Sequence, residues 1–289
     1  MPHVVGPSSR ELLIKTLHLQ VIMMVSYCNV EPQLTKRDLL QNVTGTVALL
    51  GPSNLDFIVT LFALSRLGRT VLCLSLRIAP VAIVNLLEQT GCNTIVHGSS
   101  QAIASAISAV DQEIPILALP IPTRGIYEVP SLDPPFRRVV DRMTESARPA
   151  LIMHSSGSTG LPKPVTLSHR ALLTHVVQGA GVDNFGVMPL YHLYGVSTTL
   201  QAMYVGKKAN IFDATLPLTA DNLIGAIEAT RPRALHFVPY VLGLLAEKPR
   251  GVELMRRCDF VTAASARTPD ELGDRLVQEG VHLGVVYGT

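Results

Sequence analysis

His154-Ser155-Ser156-Gly157-Ser158-Thr159-Gly160-Leu161-Pro162-Lys163-Pro164 follows directly on an apolar run at residues 150–153. Glycines, hydroxyls and one lysine after a strand-like run are what a loop around a polyphosphate needs. Gly157 and Gly160 allow positive φ and let several N–H groups converge on one anion, with Ser155, Ser156, Ser158 and Thr159 adding donors. Lys163 supplies a mobile positive charge. The usual phosphate loop, G-x-x-x-x-G-K-[ST], does not fit, because Lys163 follows Pro162 and no hydroxyl follows it. Nor does the stretch form a G-x-S-x-G nucleophile elbow. A Gly/Ser-rich segment between a strand and a helix is usually an ordinary connection, so the rest of the chain has to decide.

Outward from the loop, short β-branched runs alternate with helical patterns. Strands are expected at residues 47–50, 70–76, 94–97, 116–119 and 150–154. Helices are expected at 54–67, with Gly68 beyond its end, from Pro80, and at 101–110. After the loop the alternation resumes with strands at 185–188, 209–212, 234–237, 260–263 and 283–286, and helices from Thr219, Pro239 and Pro269. This is the pattern of an α/β protein whose parallel sheets are covered by helices on both faces. Ligands of such sheets lie beyond the carboxyl ends of the strands, which is where residues 155–163 fall. Residues 120–149 hold Pro120, Pro122, Pro130, Pro134, Pro135 and Pro149 with Arg137, Arg138, Asp141 and Arg142, and read as a surface connection. No repeat of fixed period and no low-complexity segment is visible.

Composition narrows the function classes. The 289 residues carry 24 basic and 22 acidic side chains, a net charge of +2, and no Lys/Arg stripe, so a nucleic-acid partner is not implied. Cys28, Cys73, Cys92 and Cys258 form no C-x-x-C pair, which argues against zinc and against a disulfide scaffold and for reduced core thiols. The apolar stretch 17–28 is broken by His18 and Gln20 and lacks a cleavage pattern. Residues 184–206 are uncharged, but Pro189, His192, Gly195 and Gln201 interrupt them, so a buried segment around a site is expected rather than a membrane span. A cytoplasmic protein without a membrane partner is the expectation, although the mean hydropathy of +0.32 is high.

The loop resembles the phosphate-binding signature of the adenylate-forming superfamily of acyl-CoA synthetases, luciferases and peptide-synthetase adenylation domains. Two further motifs stand in the family's order. Met188-Pro-Leu-Tyr-His-Leu-Tyr-Gly195 is similar to the family's aromatic-and-histidine motif, and Val286-Tyr-Gly-Thr289 to the opening of its tyrosine-glycine motif. The early segments 47–56 and 67–75 also resemble the family. Pro164 in place of the usual glycine, with Pro-Leu-Tyr-His, looks most like fungal synthetase-like adenylate-forming reductases. The fold implied is five layers, αβαβα, of stacked parallel sheets: an incomplete large N-terminal domain without the small C-terminal one. Residues 1–289 would form one partial adenylation domain, with approximate subdomains 43–180, ending with the phosphate loop, and 1–42 plus 181–289.

The resemblance implies ATP- and Mg²⁺-dependent activation of a carboxylic acid to an acyl-adenylate, then passage to CoA or a carrier thiol in a complete enzyme. Ser155, Ser156, Gly157, Ser158, Thr159, Gly160 and Lys163 would hold the β- and γ-phosphates, with Thr159, Lys163 and His192 as the catalytic set. Ala264, Ser265, Tyr287 and Gly288 would adjoin the nucleotide. His192, Gly195, Val238 and Ala263 would line the acyl pocket. A satisfied core histidine is the bland alternative for His192. His236 is explained equally well by helix-end capping and stays outside the set. The pocket segments 192–197, 238–242 and 263–265 are mostly apolar and place no acidic residue to meet an α-amino group, which favours a hydrophobic or aryl acid over an amino acid.

Two departures from the family pattern matter. Where it has a glycine-glycine turn against adenine, this chain reads Thr262-Ala-Ala-Ser-Ala-Arg267, adding methyls where backbone should approach the base. The family's Mg²⁺-binding glutamate, ribose-binding aspartate and C-terminal lysine belong after Thr289, so no metal ligand is assigned. The alternative expectation is therefore a catalytically inactive, truncated remnant that binds nucleotide or a protein partner, with an exposed sheet edge at its end.

Overall fold

The computed structural model describes residues 45–127, 140–155 and 160–287. Residues 17–28, the prolines and arginines between 130 and 138, Ser156, Gly157, Ser158, Thr159, Gly288 and Thr289 therefore lie outside the described residues. The chain packs as two compact units. The first holds the described residues through His175 together with Leu190–Leu193; the second holds Val176–Pro189 and the described residues from Tyr194 onward.

The first unit runs β1 (Thr46–Leu50), α1 (Leu55–Arg66), β2 (Thr70–Leu74), α2 (Pro80–Thr90), β3 (Thr94–His97), α3 (Gln101–Glu113), β4 (Leu117–Pro120), the short α4 (Arg124–Tyr127) and α5 (Arg142–Ala147), β5 (Pro149–His154), β6 (Pro164–Ser168) and α6 (His169–Val177). Its sheet has the order β4-β3-β1-β2-β5-β6. β1, β2 and β3 are short β-branched and leucine runs buried on both faces, as central parallel strands must be. The helices start and stop where local chemistry directs. Asn54 Oδ1 accepts the Phe57 N–H at 3.0 Å to open α1. Pro80 opens α2, and Gly91 closes it in the left-handed conformation.

The expectation of parallel sheets needs one correction. β6 pairs antiparallel with β5, with His154 opposite Pro164. Residues 155–163 are too few for the crossover a parallel neighbour would require. β6 was not anticipated because Val165 and Thr166 are exposed on an edge, where little hydrophobic patterning is imposed. The core beneath this sheet gathers Leu50, Leu72, Leu74, Ile83, Leu86, Ile95 and Ile152. Cys73 is fully buried beside it, and burial pushes its thiol up to about 12, which makes it an inert core thiol.

The second unit contains β7 (Asn184–Gly186), α7 (Leu193–Tyr204), β8 (Ala209–Ile211), α8 (Ala220–Thr230), β9 (Ala234–Phe237), α9 (Pro239–Ala246), α10 (Pro249–Arg256), β10 (Phe260–Ala263), α11 (Asp270–Gln278) and β11 (Leu283–Val285). All its pairings are parallel, in the order β11-β10-β9-β7-β8. One face buries Phe185, Leu235, Phe237, Val261 and Ala263 against α8, α9, α10 and α11. Phe185 meets Phe212 and Phe237 edge-on at 6.5 and 6.3 Å. Each such fully buried side chain contributes roughly 1.5–3 kcal/mol. The alternate residues Asn184, Gly186, His236 and Thr262 fall on the other face, which meets α7: Asn184 Nδ2 donates to the Thr198 carbonyl at 2.7 Å. The uncharged stretch expected to be buried is largely this helix, and no described helix is long and apolar enough to cross a membrane.

Candidate functional site

In the first unit, β5 delivers its last residue, His154, to the carboxyl end of the sheet, and the loop behind it closes on itself. The Ser155 N–H donates to the Lys163 carbonyl at 3.0 Å. The Lys163 N–H donates to Ser155 Oγ at 2.9 Å. This reciprocal pair ties the two feet of the loop together and continues the β5–β6 ladder by one rung. Ser155 Oγ, expected to face a phosphate, spends one lone pair on this closure and keeps its proton to donate. Gly160 has φ +153°, a conformation that side-chain-bearing residues rarely adopt. The Lys163 side chain is exposed, and its ammonium forms no ion pair among the described residues.

His192 arrives at the same end of this sheet by a separate route. The Leu190 N–H donates to Ser53 Oγ at 2.8 Å, which pins the segment Leu190–Leu193 to the turn after β1. Tyr191 is buried, and its ring centroid lies 5.6 Å from that of His192. His192 is exposed, yet the partial withdrawal of its ring from water lowers its pKa below the usual histidine value, and the nearby Arg77 charge lowers it further. The carboxyl ends of β1, β2 and β5 thus assemble the loop base, Lys163, Arg77, His154 and a neutral His192. Parts of two motifs, His154–Ser155 with Lys163 and the segment Leu190–Leu193, lie in one unit.

The second unit holds a buried polar cluster at the carboxyl ends of β7, β9 and β10. The strand order reverses between β7 and β9, the place where an open α/β sheet forms a crevice. Gly186, His236 and Thr262 lie in one register row. Thr262 Oγ1 is 2.5 Å from the Tyr194 hydroxyl and 2.7 Å from His236 Nδ1. Burial lowers the His236 pKa to about 4 and raises that of Tyr194 to about 12, so both groups are neutral. His236, set aside on sequence grounds, is therefore part of this cluster. Its partner, Thr262, lies on a neighbouring strand, and that register is not legible in a linear pattern.

The other expected residues are distributed as follows. Gly195 is buried in the first turn of α7, where an added Cβ would stand 2.2 Å from the Pro189 carbonyl oxygen and 2.6 Å from that of Met188. Its smallness serves helix packing. Val238 is half-buried at the start of α9. Ala263 is fully buried in the core beneath the sheet. Ala264 is buried and donates its N–H to the Phe237 carbonyl at 3.1 Å. Ser265 follows at φ +70°, a glycine-favouring conformation in a segment where glycines were looked for. Tyr287 is 91% exposed at the end of the edge-strand segment.

A cavity of about 680 Å³ opens at the other, amino end of these strands, among Glu228, Arg231, Arg233, Arg250 and Arg257. Arg233 pairs with Asp259 at 2.7 Å, Arg250 with Glu228 at 2.6 Å, and Arg257 with Glu253, which makes this a surface ion-pair network. No group of three or more His, Cys, Asp or Glu side chains fit to hold a metal ion occurs among the described residues.

A family profile described as AMP-binding enzyme matches residues 36–289. The chain is 30% identical over 256 residues to the non-canonical non-ribosomal peptide synthetase ascB of Acremonium egyptiacum, an alignment covering 84% of this chain and 23% of that protein. It is 29% identical over 302 residues to an adenylate-forming reductase of Aspergillus terreus, covering 96% of this chain and 28% of the relative. The chain thus spans about a quarter of these relatives. Among solved structures, the inhibitor-bound N-terminal domain of FACL13 from Mycobacterium tuberculosis superposes with a TM-score of 0.77 at 18% identity, covering 97% of this chain and 74% of that one.

Proposed function

The chain belongs to the AMP-binding enzyme family, and from that premise we propose that it binds ATP and a hydrophobic or aryl carboxylic acid and activates the acid as an acyl-adenylate. One carboxylate oxygen of the acid attacks the α-phosphorus of ATP. The bond from that phosphorus to its bridging oxygen breaks, and pyrophosphate leaves with the electron pair. The resulting mixed anhydride is the form handed to a thiol, of CoA or of a carrier protein, in the complete reaction.

The observation that carries this reading is the self-closed base of the loop, with the exposed Lys163 side chain, free of ion pairs among the described residues, beside it and a neutral His192 in the same unit. Bringing a carboxylate to a polyphosphate sets like charges together, and fixed positive groups aimed at the phosphates offset that repulsion. Lys163 supplies such a charge, and the serine hydroxyls of the loop supply donors. His192, kept uncharged by its surroundings, lines the approach of the acid without trapping its carboxylate in an ion pair. Mg²⁺, when bound, would supply charge neutralisation for the leaving pyrophosphate. Among the described residues no group of three or more His, Cys, Asp or Glu side chains gathers to hold it.

Pyrophosphate exchange into ATP, measured with a panel of aryl and aliphatic acids, tests the proposal. Acid-dependent exchange supports it, and ATP binding with no exchange for any acid reduces it to a nucleotide-binding module. ATP affinity unchanged in Lys163→Ala removes the loop from the nucleotide site.

A further inference from the structure

The parallel ladder between β2 and β5 ends with Leu72 opposite Ile152. Just past the end of β2, the N–H of Ser75 bonds instead to a side chain: His154 Nε2 at 3.1 Å. A backbone N–H can only donate, so Nε2 is the unprotonated nitrogen and the ring proton sits on Nδ1. Nδ1 lies 3.1 Å from the Ser155 carbonyl oxygen, a fitting acceptor for that proton. One neutral tautomer satisfies both contacts, and it joins the turn after β2 to the first residue of the loop.

That turn is held in its own right. Ser75 is buried, and its Oγ accepts the Arg77 N–H at 3.1 Å, which turns the chain toward α2. From α2, Asn85 Nδ2 reaches the Pro162 carbonyl at 3.3 Å, at the far foot of the loop. Ser155 and Lys163 tie the two feet together. A single βα unit, residues 70–90, therefore grips both feet from outside. The first grip depends on the imidazole alone.

We propose that His154 is a positioning residue: as the Nδ1–H tautomer it fixes the first foot of the loop to Ser75 and so sets where the loop meets its polyphosphate. The role rests on the polyphosphate reading of this loop. It needs no contact between His154 and nucleotide. A ring of the other tautomer would present an N–H to the Ser75 N–H, two donors face to face, and the grip would open.

The test uses the full 289-residue chain. Nitrogen-15 NMR of the histidine side chains reports the tautomer directly, and hydrogen exchange at the Ser75 amide reports whether the grip is closed. ATP titrations of wild type, His154→Gln and His154→Leu report its consequence for the loop. The glutamine Oε1 can accept from Ser75, so His154→Gln is expected to bind ATP close to wild type. His154→Leu is expected to bind about fivefold more weakly, the scale of one hydrogen bond, and to exchange the Ser75 amide faster. A ring found as Nε2–H overturns the proposal. So does wild-type ATP affinity in His154→Leu, or a His154→Gln variant as weak as His154→Leu. If His154→Leu does not fold, the wild-type tautomer and the His154→Gln titration decide. A wild-type chain that binds no ATP defeats the polyphosphate reading itself, while the tautomer and Ser75 exchange still settle whether His154 holds the foot.

Discussion

His236 Nδ1 lies 2.7 Å from Thr262 Oγ1, side by side in the register of β9 and β10, inside a cluster that buries the imidazole almost completely. Burial disfavours the imidazolium and lowers the His236 pKa to about 4 from the ordinary 6.5. The unfolded chain therefore takes up a proton that the folded chain refuses between these values. Stability contributed by His236 is fully present above about pH 6.5 and is lost as pH falls toward 4, with a maximum on the order of 3 kcal/mol. Chemical denaturation at a series of pH values measures this slope. His236→Asn, which keeps a group able to bond Thr262, should flatten it, and an unchanged slope would assign the acid sensitivity elsewhere.

The Tyr194 hydroxyl completes the cluster at 2.5 Å from the same Thr262 oxygen. Tyr194→Phe removes one bond and should cost about 1 kcal/mol. Thr262→Val leaves both the phenol and the imidazole nitrogen without this partner and should cost about 2–4 kcal/mol. Urea midpoints of the two variants check the order.

Gly195 has no room for a side chain, with carbonyl oxygens 2.2 and 2.6 Å from an added Cβ. Gly195→Ala should force α7 away from residues 188–189 and destabilise by about 2 kcal/mol or more. Gly243, inside α9 with nothing within 4 Å of an added Cβ, is the control. There alanine should stabilise by about 0.5–1 kcal/mol, because it restricts the unfolded chain and suits a helix. Thermal melts of the pair separate packing from propensity.

Ser265 occupies the left-handed region at φ +70°. Ser265→Gly should relieve about 1 kcal/mol of backbone strain. Denaturant midpoints measure it, and parallel ATP titrations report whether that turn also limits nucleotide binding.

Lys163→Ala should weaken ATP binding about tenfold or more, the scale of a charge-assisted contact to phosphate, while leaving the melting temperature unchanged. The Lys163 side chain is exposed and forms no ion pair among the described residues, so it carries little stability. Calorimetric titration beside a thermal melt separates the two effects.

Much of this protein was legible residue by residue. The strands at 94–97, 234–237 and 260–263 follow from short β-branched runs, and the helix starts at Pro80 and Pro239 from proline's fixed φ. The break between β5 and β6 was legible in the glycine and hydroxyl content of residues 154–164, since both act locally. β6 and α10 stayed hidden, one an exposed edge strand and the other a short helix that buries only Gly251, Leu254 and Met255. His154 finds its acceptor role at Ser75, 79 residues away, and His236 meets Thr262 across 26 residues. Backbone preference and local patterning are encoded by neighbours in sequence, so the sequence by itself determined the α/β alternation and the place of the loop. Strand order and register decide which distant side chains share a hydrogen bond, and only the tertiary structure could place Ser75 against His154 and bury a neutral His236 beside Thr262.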